Sequence, residues 1–105
     1  MDGFVKAIDV AELAPGRGVG VLLGEHEIAL FNVGDEIFAL DAVCPHQGGP
    51  LAEGYLEGTN IVCPWHALSF DLRTGVSQDD PESKVARYDV KVVSGQVFIR
   101  LESTT

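Results

Sequence analysis

Two short stretches decide how this chain folds: residues 44–51 read CPHQGGPL, and residues 63–66 read CPWH. Together they contain both cysteines of the chain and two of its three histidines. The candidate metal ligands are Cys44, His46, Cys63 and His66. Structural zinc sites with two Cys and two His usually take each like pair from one local element. Because each stretch here supplies one thiolate and one imidazole, the pattern favours two inequivalent irons, with sulfur ligands on one and nitrogen ligands on the other.

Length and composition indicate an ordinary globular protein. The 105 residues predict a single domain over 1–105. Hydrophobic residues make up 46% of the chain and charged residues 22%, as in typical soluble domains. Twelve glycines and five prolines favour a loop-rich β architecture over a helical bundle.

Charge and hydropathy limit the classes of partner that the chain can bind. The formal net charge of −9 argues against nucleic acid, because phosphate neutralisation needs clustered Lys and Arg. It suits docking onto basic protein surfaces. No apolar run approaches the roughly 20 residues that span a bilayer, and residues 1–6 lack the layout of a signal peptide. We therefore expect a cytoplasmic protein without a membrane partner.

Short alternating runs predict strands along most of the chain. The longer ones are 4–8, 18–23, 26–33, 36–40, 85–93 and 96–101. Gly34-Asp35 and Ser94-Gly95 have the length of hairpin turns. A small β subdomain is predicted at about 41–80, with short strands at 55–58, 60–62 and 68–71, and its loop tips are expected to bring the ligands together.

The two stretches, followed by Phe70-Asp71 and Thr74-Gly75, resemble the signature of the Rieske family, and the resemblance extends over nearly the whole chain. It implies an all-β fold: a Rieske-type antiparallel β-sandwich with a small cluster-binding β subdomain. It also implies one [2Fe–2S] cluster per chain. By this resemblance Cys44 and Cys63 hold the buried iron, while His46 and His66 hold the outer iron, which is the one reduced.

Four positions near the candidate ligands indicate whether the protein resembles high-potential or low-potential Rieske proteins. High-potential members carry a second cysteine in each loop, joined as a disulfide, where this chain has Gly49 and Trp65. They also place Ser and Tyr hydroxyls near the cluster sulfurs, where this chain has Leu68 and Phe70. Because hydrogen bonds to sulfur stabilise the reduced cluster, their loss implies a low reduction potential.

The resemblance implies an electron carrier and not an enzyme. Once the candidate ligands are assigned, His26 is the one histidine left, too few for the two-His, one-carboxylate iron site of an oxygenase. The expected role is a monomeric ferredoxin that takes electrons from a flavin-containing reductase and passes them to a terminal ring-hydroxylating oxygenase. The alternatives are the small Rieske-like subunit of an assimilatory NAD(P)H nitrite reductase and, from the ligand types alone, a zinc-bound structural module.

Further expectations concern residues outside the ligand set. His26 lies between two glutamates at the start of a predicted strand, which favours an exposed surface histidine. Trp65 is expected to shield the cluster, to line the docking surface or simply to pack. Gln47 and Leu51 are expected to cover the cluster. The acidic loop at 77–83 is expected to be exposed.

Overall fold

The computed structural model describes residues 3–34, 36–43, 50–64, 69–77 and 84–101. Its strands are β1 Phe4–Asp9, β2 Gly18–Leu23, β3 His26–Val33, β4 Glu36–Asp41, β5 Tyr55–Glu57, β6 Asn60–Val62, β7 Ser69–Asp71, β8 Arg87–Tyr88, β9 Val90–Val93 and β10 Gln96–Arg100. Single 3₁₀ turns lie at Val10–Glu12 and Leu51–Glu53. None of the helical segments in this part of the chain has the length and apolar character of a membrane span.

The strands form three antiparallel sheets, which confirms the all-β expectation. The first has the order β1-β10-β9, the second β2-β3-β4-β8, and the third β5-β6-β7. The third sheet is built from three-residue strands and falls inside the segment expected to be a subdomain. The limits of that subdomain at 41 and 80, and the single-domain assignment, stay predictions.

Strand β3 is buried on both faces, because a hydrophobic cluster lies on each side of the second sheet. Ile28 and Leu30 face one cluster, and Ala29 and Phe31 face the other, as the two-residue period of a strand requires. We name the first cluster the base core; it comprises Leu13, Ile28, Leu30, Ala39, Tyr88, Val97 and Ile99. We name the second the ligand-side core; it comprises Ala29, Phe31, Leu40, Leu51, Ile61, Cys63, Phe70, Leu72 and Val85.

The predicted strand at 85–93 is wrong in one respect, because the structure divides it at Asp89. Strand β8 pairs with β4, whereas β9 pairs with β10 in a different sheet. The carboxylate of Asp89 lies 3.6 Å from the guanidinium of Arg87 and 3.4 Å from that of Arg100. Its carbonyl accepts a hydrogen bond from the Arg100 N–H at 3.0 Å. The chain therefore passes from the second sheet to the first at Asp89, which is bound to an arginine of each sheet. The alternation of apolar residues in the sequence continues across this point and gives no sign of the division.

Candidate metal centre

The residues on either side of the segment that contains Cys44 and His46 are paired with each other. Val43 and Pro50 form an antiparallel bridge. Beside it, the Leu51 N–H donates to the Ala42 carbonyl at 2.8 Å. The first candidate ligand loop, residues 44–49, is therefore anchored at both ends by adjacent backbone.

The segment that contains His66 is anchored in the same way. Val62 of β6 pairs with Ser69 of β7, so residues 63–68 connect two neighbouring antiparallel strands. Cys63 follows β6 directly and is 1% exposed within the ligand-side core. This second candidate ligand loop thus starts with a buried thiol.

The anchors of the two loops lie against each other. After the 3₁₀ turn at Leu51–Glu53, the chain enters β5, whose Tyr55 pairs with Val62. Leu51 and Cys63 belong to the same core, and Ala42 packs against that core. The fold therefore brings the base of one candidate ligand loop next to the base of the other.

The four predicted ligands are described only in part. Cys63 is buried in the ligand-side core, while Cys44, His46 and His66 lie outside the described residues. The same holds for Gln47, Gly49, Trp65 and Leu68, and for most of the acidic loop at 77–83.

Three further expectations can be compared with described residues. Leu51 is fully buried in the same ligand-side core as Cys63; that it covers the cluster stays a prediction. Phe70 is also fully buried in the ligand-side core. His26 is exposed, as expected, and its ring meets the ring of Tyr88 edge-on with 6.5 Å between centroids.

One contact near the first loop gave no signal in the sequence. The Tyr88 hydroxyl donates a 2.6 Å hydrogen bond to Oδ1 of Asp41, the last residue of β4 and three residues before Cys44. Burial of the phenol raises the pKa of Tyr88, and the hydrogen bond to Asp41 and the negative charge of that carboxylate raise it further. Because the partners are 47 residues apart, no local pattern could reveal the pair. It fixes the end of β4 to β8, just ahead of the first loop.

The residues present fit an iron–sulfur cluster. Thiolates are the usual ligands of such clusters, and in Rieske centres two His replace two Cys on one iron. The buried Cys63, and adjoining anchors on either side of the segments that contain the two Cys-His pairs, agree with such a mixed donor set.

Comparison with known protein families matches residues 3–93 to the Rieske [2Fe–2S] domain. The chain belongs to the Rieske family. As a Rieske domain it carries one [2Fe–2S] cluster per chain, which confirms the cofactor expectation and replaces the zinc alternative.

Individual proteins agree with this membership. The ferredoxin subunit of 3-phenylpropionate/cinnamic acid dioxygenase from Shigella flexneri is 43% identical, over 92% of each chain. A structure described as the complex of reduced oxygenase and oxidised ferredoxin in carbazole 1,9a-dioxygenase aligns with a TM-score of 0.88 and 28% identity, covering 100% of this chain and 99% of that one. A protein described as the NADH-dependent nitrite reductase small subunit of Mycobacterium tuberculosis aligns with a TM-score of 0.85 and 30% identity, covering 91% and 92%.

These likenesses confirm the predicted Rieske fold. They also support the expected class of function, because ferredoxins carry electrons and do not catalyse reactions themselves. The chain is an electron-transfer protein of the ferredoxin type.

Proposed function

We propose that this Rieske protein is the ferredoxin component of an oxygenase system and passes single electrons to a terminal oxygenase. The observation that carries the proposal is the end-to-end likeness to a chain from an oxygenase–ferredoxin complex. The 43% identity to a dioxygenase ferredoxin subunit supports the same role. The electron donor is proposed to be a flavin-containing reductase, and the protein is proposed to act as a cytoplasmic monomer.

We further propose that Cys44 and Cys63 hold the inner iron and that His46 and His66 hold the outer one. The cluster, when bound, accepts and releases one electron. Support comes from the adjoining loop anchors and from the burial of Cys63, which keeps water from one thiolate. Phe70, packed in the ligand-side core, has no hydroxyl to offer a cluster sulfur.

The experiment is anaerobic purification or reconstitution, followed by visible absorption, EPR of the dithionite-reduced protein and a redox titration. We expect a brown protein, the low average g value of a mixed Cys/His cluster, and a midpoint in the lower part of the roughly −150 to +300 mV Rieske range. A colourless, zinc-loaded protein contradicts the cofactor, and a midpoint near the top of the range contradicts the low-potential assignment.

Ligand variants test the four residues separately. Cys44→Ser, His46→Ala, Cys63→Ser and His66→Ala should each lose the Rieske EPR signal, whereas His26→Ala, on an exposed histidine, should keep it. An unchanged spectrum in any of the four ligand variants removes that residue from the ligand set.

The second candidate function is the small subunit of a nitrite reductase, favoured by the 30% identity to the Mycobacterium tuberculosis protein. Purification of the tagged chain from its native host separates the two candidates. A carrier purifies alone, whereas a subunit purifies in fixed ratio with a large sirohaem protein.

A further inference from the structure

An exposed apolar surface lies where the β2–β3 turn meets the end of β4. Leu22 is 67% exposed and Val43 is 44% exposed. Beside Leu22 is a shallow depression of about 260 Å³, lined by Gly20, Val21, Leu22, Glu27 and Ala42. Single exposed apolar side chains are ordinary, but here Leu22 lines a concave and mostly apolar floor, and Val43 directly follows Ala42 of the same floor.

Carboxylates border this apolar floor. A second depression of about 340 Å³ is lined by Glu25, His26, Glu27, Asp41 and Val43. Glu27 lines both depressions, so the two adjoin at this residue. None of the described residues that line either depression is a Lys or Arg. We name this area the turn surface and define it by Leu22, Glu25, Glu27, Asp41, Ala42 and Val43.

The turn surface adjoins the first candidate ligand loop. The Ala42 N–H donates to the Glu27 carbonyl at 3.0 Å, which ties the β2–β3 hairpin to the chain entering that loop. Val43 directly precedes residues 44–49 and closes them by its bridge to Pro50. A protein seated on the turn surface therefore covers Val43, the residue that directly precedes Cys44 in the sequence.

We propose that the turn surface docks an electron-accepting protein whose contact face has an apolar centre and a rim of Lys and Arg. This inference rests on the proposed function, because it needs an electron to deliver. An acidic rim attracts a basic partner and speeds encounter, while the apolar floor supplies contact area once water is displaced. We expect a basic partner because Glu27 lines the apolar floor itself, and Glu25 and Asp41 line the depression that adjoins it.

Two variants, each with a matched control elsewhere, test the surface. Glu27→Lys reverses a charge on the turn surface, and Glu57→Lys makes the same change on an exposed residue at the β5–β6 turn, at the opposite end of that hairpin from Val62. Leu22→Ser removes the exposed apolar side chain, and Val92→Ser makes a similar change on β9, where Val92 is 51% exposed.

The measurement is the second-order rate of reduction of mitochondrial cytochrome c, a basic haem protein, by the anaerobically reduced protein at low and high salt. Glu27→Lys should lower the rate at low salt by about fivefold and flatten its salt dependence. Leu22→Ser should lower the rate by about threefold at both salt concentrations. Both control variants should stay within about twofold of wild type.

The outcomes separate the surface from the proposed function. Absorption and midpoint potential equal to those of wild type establish that each variant retains its cluster. If Glu27→Lys and Leu22→Ser then match their controls, or if the wild-type rate does not fall with salt, the turn surface is not the docking site. A wild-type protein that binds no cluster overturns the proposed function itself, and the docking inference with it.

Discussion

The two cores on either side of the second sheet are built in different ways. The base core draws on strands of up to eight residues, joined to their neighbours by tight turns or by pairing of β1 with β10. The ligand-side core is closed by three-residue strands and by the anchors of two loops. The same β3 strand supports both, through alternate side chains.

The difference indicates that the base core mainly stabilises the fold, whereas the ligand-side core mainly positions the candidate ligand loops. In the base core, burial of aliphatic side chains on long paired strands is the main source of stability. On the ligand side, short strands supply few hydrogen bonds, so large side chains and close backbone contacts have to hold the loop anchors. Mutations of equal severity in the two cores should therefore affect the cluster unequally.

The largest expected effect is that of Phe70→Ala. Phe70 is fully buried in the ligand-side core with Cys63, and its truncation should lower the free energy of unfolding by about 4 kcal/mol. Its cluster absorption should bleach on heating before the far-UV CD signal is lost. The comparison variant is Ile99→Ala in the base core, for which about 3 kcal/mol is expected. There bleaching should coincide with global unfolding, and early bleaching of Ile99→Ala would contradict the difference between the cores.

Gly54→Ala tests the close backbone contact between the two loop anchors. A Cβ on Gly54 would collide with the carbonyl oxygen of Val62, the residue before Cys63. Overpacking of this kind should lower the free energy of unfolding by about 3 kcal/mol. Gly58→Ala is the control. Gly58 has φ +61°, but among the described residues no atom beyond its chain neighbours lies within 4 Å of the added Cβ, so about 1 kcal/mol of backbone strain is expected. Chemical denaturation measures both, and equal losses would show that contact at Gly54 is unimportant.

Tyr88→Phe tests the link between the cores, since the Tyr88 ring belongs to the base core and its hydroxyl holds Asp41 ahead of the first loop. The ring packing is kept while a charge-assisted hydrogen bond is lost, so the free energy of unfolding should fall by about 1.5 kcal/mol. Tyr55→Phe, on a side chain that is 58% exposed, should change it by less than about 0.5 kcal/mol. Thermal unfolding of the two variants in parallel decides whether the hydroxyl matters.

The same hydroxyl predicts the smallest effect, a loss of stability at alkaline pH. Burial, together with the Asp41 carboxylate, raises the folded-state pKa of Tyr88 above its usual value of about 10. Above that pH the unfolded tyrosine ionises while the folded one keeps its proton, so the free energy of unfolding falls by at most about 1.4 kcal/mol per pH unit. Denaturation from pH 9 to 11 should show this decline in wild type and a smaller one in Tyr88→Phe. If the free energy of unfolding declines equally with pH in the two proteins, Tyr88 is not the cause of the alkaline loss of stability.

Much of the fold follows from local pattern. The alternation in 26–33 and the turn at Ser94-Gly95 predicted strands that the structure contains. The division at Asp89 did not follow, because apolar alternation says which face a residue takes and not which sheet a strand joins. The Asp41–Tyr88 bond and the contact of Gly54 with Val62 were also missed, since each joins segments whose nearness depends on the whole topology.

The sequence by itself determined the chemistry of the centre. Two mixed Cys-His pairs favour a cluster with unlike irons, and the resemblance they carry leads to the Rieske family, because ligand type and spacing are properties of the chain. The tertiary structure alone decided what surrounds that chemistry: the burial of Cys63 against Leu51, the adjoining loop anchors and the turn surface beside them. Burial and surface shape arise when strands distant in sequence pack, so they depend on the folded arrangement of the chain.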